Sequence, residues 1–271
     1  MHRDTRRSVC RATALLLLLA GCAARNDSSK GSADVELVHP GKLRVGVYPD
    51  DPLANLDTRS GQAGGSLHDL SVELGQELAR RLGVVFEAVV FESQPPLLEA
   101  VRLGSVDVMI VNATPKRAQI LDFSPDLLQT EQGFLVMPDS LAVKIEDIDQ
   151  SQVRVGVSEG STSQGILTEQ LKNARVVPVS TIKAAVQMLE RHELDTFATN
   201  KAVLFALSDH VPGSRVLDGR YGVEHLALAI PKGRPKAMAY MATFVNEVTA
   251  DGFLERAAAE VRFRGRIRTV Q

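Results

Sequence analysis

The sequence predicts an α/β protein built from βαβ units on parallel sheets, and three observations carry that expectation. Val106 to Val111 is a continuous apolar run broken only by Asp107, the pattern of a parallel strand buried on both faces. Leu70, Leu74, Leu78 and Leu82 fall on one stripe at helical spacing, and Gly83 follows where a helix can end in the left-handed region. Strand-like runs alternate with helical stretches at the spacing of βαβ units, which implies a parallel sheet.

The chain has 271 residues, 44% of them hydrophobic, so it can bury a sizeable core. Its first stretch stands outside that core. Arg3, Arg6, Arg7 and Arg11 precede an apolar run, Ala12 to Ala20, that is too short to span a bilayer as a mature helix. The run ends Leu19-Ala20-Gly21-Cys22, which resembles the lipobox of bacterial lipoproteins, with cleavage before Cys22 and acylation of that cysteine. An ordinary signal peptide cut elsewhere is the alternative. Thr5 to Arg11 also resembles a twin-arginine export signal. Residues 1–21 are therefore expected to be a signal peptide and residues 22–40, small and polar, a lipid-anchored tether. Cys10 and Cys22 are the only cysteines, which excludes a disulfide or a cysteine metal site from the folded part. Removing the signal takes four arginines and one aspartate from 31 basic and 33 acidic residues, leaving 27 and 32 and a net charge of −5. That balance argues against a nucleic-acid partner.

Lys42 to Val47 alternates as a strand and ends at Tyr48-Pro49-Asp50, a loop at a strand C-terminus, where open α/β sheets hold ligands. Tyr48 and Asp50 are candidate contacts on that ground, and turn chemistry accounts for them equally well. A helix over Leu70–Leu82, a strand over Val84–Phe91 and a short helix over Ser93–Arg102 follow. The central strand then passes through Asn112-Ala113-Thr114 into Pro115-Lys116-Arg117. Thr114 suits an N-cap and Pro115 a first helical position, which sets Lys116 and Arg117 in a first turn against the helix dipole. Folding does not ask for an arginine there. The strand end with its backbone N–H groups (Asn112, Ala113), the Thr114 hydroxyl and the Arg117 guanidinium make a site for a carboxylate or another small anion. A solvated turn is the bland alternative.

In the second half, Gly133 to Met137 reads as a strand and Val153 to Val157 opens a new sheet. Ser158 to Ser163 turns into a helix, with Ser161 and Gln164 spaced as a capping box. Val176–Val179, Ile182–Leu189 and Leu194–Thr199 continue as strand, helix and strand, ending at Asn200. GVSEGSTSQG lacks the Lys-Ser/Thr of a P-loop and the glycine spacing of a dinucleotide site. Tyr221 to Pro231 reads as a return strand and Pro235 to Ala259 as helices against the first lobe. His192, His210 and His225 show no metal-ligand spacing, so neither metal nor cofactor is expected.

Taken in order, GKLRVGV, SVELGQELARRLGV, GSVDVMIVNATPKRAQILDFS, VRVGVSEGSTSQG and YGVEHLALAIPKG resemble family 3 extracellular solute-binding proteins, bacterial receptors of ABC importers for polar amino acids and related compounds. The resemblance implies a two-lobe periplasmic-binding-protein-like fold of type II, with two crossover strands as hinge and the ligand in the cleft. Residues 41–132 and 222–271 would form lobe 1 and residues 133–221 lobe 2. It places Arg117 from the first lobe, and Ser161 and Thr162 from the second, on the ligand's carboxylate. It implies a small-molecule ligand and an ABC permease as partners of a monomer in the periplasm or cell envelope, touching the membrane through its lipid anchor alone.

Three departures from the family stand out. Asn200 occupies the place of an aspartate that usually meets the ligand's ammonium, so common L-amino acids are expected to bind weakly unless Asp50 or Glu131 supplies the charge. Glu131 serves equally well as a solvated hinge residue. Leu53 replaces the usual aromatic near Pro52, and the segment from Asp107 to Arg117 is two residues shorter than the common form. The expected function is a receptor rather than an enzyme. The runner-up is a periplasmic cyclohexadienyl-type dehydratase on the same fold, with Glu131 as the pocket acid.

Overall fold

The computed structural model describes residues 35, 36, 39, 41–48, 67–264, 266 and 267, so Cys22, Asp50 and Leu53 lie outside the described residues. Alternation in β1 (Lys42–Val47) buries Leu43, Val45 and Val47, which meet Leu70, Leu74 and Leu78 of α1 (Leu67–Leu82) in one core. β2 (Val85–Val90) and α2 (Gln94–Arg102) follow, and then β3 (Val108–Asn112), buried along its whole length. β1 pairs in parallel with both β2 and β3.

Beyond β3 the expected helix over Lys116 and Arg117 does not form. Thr114 closes a single turn: its carbonyl accepts from the Ala118 N–H at 2.9 Å and its hydroxyl from the Arg117 N–H at 3.2 Å. A 3-10 turn over Arg117–Gln119 is all that follows. The chain is then drawn into the sheet as β4 (Leu121–Phe123), which pairs antiparallel with the return strand, Phe123 opposite Ala229. So short a turn has no macrodipole for Arg117 to oppose.

The hinge strand β5 (Leu128–Val136) starts five residues before the expected Gly133. Its early part gives Leu128 to the first core, and its later part gives Phe134 and Val136 to a second. The second half comprises β6 (Arg154–Ser158), α3 (Thr162–Gln170), β7 (Arg175–Val179), α4 (Ile182–Glu190), β8 (Thr196–Asn200), α5 (Lys201–His210) and β9 (Arg215–Val216). Here β6 pairs in parallel with β7 and β8. β10 (Gly222–Pro231) returns antiparallel to β5, with Gly222 opposite Gln132 and Leu226 opposite Leu128. The sheet order β2-β1-β3-β10-β5-β8-β6-β7 therefore joins two parallel three-stranded halves through one antiparallel pair. α6 (Pro235–Ala250) and α7 (Phe253–Glu260) pack Phe244 and Leu254 into the first core, and β11 (Arg266–Ile267) pairs with β5.

The halves repeat one device. Asp107, fully buried, accepts from the Arg44 N–H at 2.8 Å, its Nε at 3.1 Å and its Nη2 at 3.0 Å. Asp195 receives the same three donors of Arg154 at 2.7, 2.9 and 3.0 Å. Two residues after each arginine the strand carries glycine, because a Cβ on Gly46 would lie 2.1 Å from Leu97 Cδ1 and one on Gly156 2.4 Å from Leu194 Cδ1. Among the described residues no helix is long and apolar enough to cross a membrane, and no group of three or more His, Cys, Asp or Glu could hold a metal ion.

Candidate functional site

Parallel sheets leave their strand C-termini free for ligands, and here those ends share one cleft. Tyr48 after β1, Asn112 at the end of β3, Ser158 at the end of β6 and Asn200 at the end of β8 all line it. Both halves of the molecule contribute walls, and β10 adds Glu224 and Leu226.

The first half supplies a buried cation. Arg117 is only 7% exposed. Its Nη1 donates to the Asn112 carbonyl at 3.0 Å and its Nη2 to Gln94 Oε1, while Gln94 Nε2 donates to the Tyr48 hydroxyl at 3.1 Å. Gln94 and Asn112 line the cleft and Arg117 stands directly behind them. Burial works against the guanidinium's charge, and the negative field of Glu224 supports it.

The second half presents the start of α3. Ser161 caps it, its Oγ accepting from the Gln164 N–H at 3.1 Å. The Gln164 side chain accepts from the Gly160 N–H at 2.8 Å rather than from that of Ser161, so the box is closed one residue early. Thr162 Oγ1 donates to Glu224 Oε1 at 2.5 Å, and Gln132 Nε2 donates to that same carboxylate oxygen at 3.2 Å. Asn200 caps α5 through Oδ1, which accepts from the Val203 N–H at 3.1 Å, and its side chain also hydrogen-bonds Glu224. Burial is the largest influence on the Glu224 carboxyl and holds it above the usual carboxylate range.

Of the candidates read from the sequence, Tyr48, Asn112, Ser161, Thr162 and Asn200 line the cleft. Ala113 and Thr114 shape the turn behind it, with the Ala113 N–H donating to the His225 carbonyl at 2.9 Å. Arg117 is a core residue of the site rather than a surface cation. Glu131 is a correction. It bonds Lys201 Nζ at 3.2 Å and Arg220 Nη1 at 2.7 Å beside a separate pocket, because strand alternation turns it away from the face that Gln132 presents. His225 pairs with Asp126 at 2.6 Å and His192 with Asp139 at 3.7 Å.

Sequence reasoning missed Gln94 and Glu224. Glu224 had a signal: it lies in register with Leu226, Leu228 and Ile230, which all face the first core, so alternation puts this lone acid on the buried face. Gln94 had none, since its role depends on where α2 packs.

The sheet order and the shared cleft define the two-lobe, type II solute-binding architecture. Residues 43–260 match the bacterial extracellular solute-binding proteins, family 3, and the chain belongs to that family. It is similar to the ABC transporter glutamine-binding protein GlnH of Bacillus subtilis (20% identity over 88% of this chain and 89% of that one). It is also similar to the glutamine-binding protein of Geobacillus stearothermophilus (24%, 79% and 87%). Among solved structures, the ancestral amino acid-binding protein AncCDT-1, a precursor of cyclohexadienyl dehydratase, superimposes with a TM-score of 0.70 at 25% identity, covering 82% of this chain and 95% of that one.

Proposed function

We propose that this protein is the extracytoplasmic receptor of an ABC importer and closes on a small polar ligand bearing a carboxylate, an amino acid or a derivative. One observation carries the reading: a buried arginine without a carboxylate partner among the described residues stands behind a cleft whose opposite wall is a helix N-terminus with two hydroxyls. Guanidinium, the Ser161 hydroxyl and the backbone N–H groups at the start of α3, that of Thr162 included, suit one carboxylate from both sides. In this reading the carboxylate takes the place of Gln94 Oε1 on Arg117, and Tyr48, Asn112 and Asn200 contact the rest of the ligand. Lobe 1 comprises residues 41–132 and 222–271, lobe 2 residues 133–221, and β5 and β10 are the hinge. The relatives' names support the ligand class and the permease partner.

A thermal-shift panel of L-amino acids, opines and small carboxylates tests the proposal. A compound at about 100 times its dissociation constant should add about 2.7 kcal/mol to stability. Arg117→Ala should weaken its binding by about 2–5 kcal/mol; unchanged affinity would remove the arginine from the site. The anchor is tested separately: Cys22→Ser should release the protein, taken as a monomer of the cell envelope, from the membrane fraction, and persistent association would contradict lipidation.

The dehydratase reading has one specific support, the likeness to AncCDT-1. Its pocket acid would be Glu224 rather than Glu131. Formation of an aromatic product from prephenate or arogenate, followed by absorbance, decides it.

A further inference from the structure

Three buried acids occur among the described residues: Glu77, Asp107 and Glu224. Glu77 is bonded by Arg80 and Arg81, and Asp107 by Arg44. Glu224, 8% exposed, forms no ion pair with any described residue. Its partners are the neutral donors Thr162, Gln132 and Asn200. Arg117 is its counterpart, buried against the neutral acceptors Asn112 and Gln94. A buried charge without a counter-charge is costly. A buried guanidinium and a buried carboxyl that an incoming cation would ionise, set at one cleft, are satisfied together by a molecule that carries both charges.

We propose that Glu224, on β10, is the residue that receives an ammonium group of the ligand, in place of an acid at the end of β8 where this chain has Asn200. The inference rests on the receptor reading above, which concerns the carboxylate end alone. It also accounts for Asn200. The Oδ1 of that residue is spent on capping α5, which leaves its NH₂ to orient Glu224, and an aspartate could cap but could not donate. The negative charge of the ammonium subsite thus sits on the crossover strand β10 and is braced from the second half by Thr162 and Asn200. Glu92 and Glu159 also line the cleft, but both are exposed, where water solvates them.

Equilibrium titration of the panel's L-amino acids against the matching 2-hydroxy acids isolates the ammonium, since each pair keeps carboxylate and side chain. At least one L-amino acid is expected to bind tenfold or more tightly than its hydroxy counterpart, and Glu224→Gln to cut that ratio at least tenfold. The wild type gives an independent reading that needs no variant. The charged or titratable groups facing Glu224 are Arg117 and Tyr221, alongside the neutral Thr162, Gln132 and Asn200. Burial favours the protonated carboxyl in the empty cleft and an ammonium favours the carboxylate, so the ratio should fall as pH drops from 8 to 5. A ratio unmoved by Glu224→Gln and by pH, or moved by Glu92→Gln or Glu159→Gln instead, overturns the assignment. Hydroxy acids that bind as tightly as amino acids, with binding still lost in Arg117→Ala, overturn it while leaving the receptor reading intact. Binding of neither class overturns both.

Discussion

Glu224 carries a consequence for stability as well as for ligand choice. Burial raises its carboxyl above the ordinary glutamate value of 4.5, so the folded chain keeps a proton that the unfolded chain has released. The stability linked to this group is fully present below the ordinary glutamate range and is lost as pH rises through the raised value. Glu224→Gln should therefore make the unliganded protein more stable at neutral pH and flatten its loss of stability between acid and neutral conditions. Denaturant melts across that range read the effect, and a variant less stable than wild type at pH 7 contradicts it. If Glu224 takes the ammonium as proposed, the expectation that common amino acids bind weakly no longer follows from Asn200. That expectation followed from a neutral Asn200 with Asp50 or Glu131 as the possible substitutes. Glu131 is spent on Lys201 and Arg220, whereas the acid that faces the cleft is one that the sequence shows inside an apolar strand.

At the scale of elements, the Arg–Asp clasps at the starts of β1 and β6 differ chiefly in burial. Asp107 has a fully buried side chain and Asp195 one that is 39% exposed. Asp107→Ala strands Arg44 and should cost about 3–5 kcal/mol, while Asp195→Ala, its partner already solvated, should cost about 1 kcal/mol. Equal losses in urea melts would show that burial does not separate them. Elements with a local signal were legible in the sequence. β1 runs over the residues its alternation marked, and α1 holds its leucine stripe, beginning three residues sooner than read. The expected Arg117 helix fails because capping signals are local, while the pairing of Leu121–Phe123 with β10 is set by a strand a hundred residues later. The start of β5 was missed for a similar reason. A polar stretch, Gln129 to Gln132, is held as strand by β10 and β11, and the face of each residue follows from that register.

For the whole molecule, the order of motifs made the two-lobe fold legible, while the charge layout of the cleft was only half so. Arg117 was found from its motif, yet its burial was not, because the side chains that enclose it come from α2 and from β1's end. The hinge is similarly a product of assembly: Gly222 lies so close to Gln132 that a Cβ there would sit 2.4 Å from Oε1, a contact that exists only once β5 and β10 pair. In the proposed receptor the two halves, joined by those strands, close around one ligand. Small-angle X-ray scattering tests it most directly, on the mature protein with and without a saturating amount of the strongest stabiliser from the panel. The account predicts a smaller radius of gyration with the compound than without it, and no change in Arg117→Ala. Identical scattering from the empty and the saturated wild-type protein would contradict it.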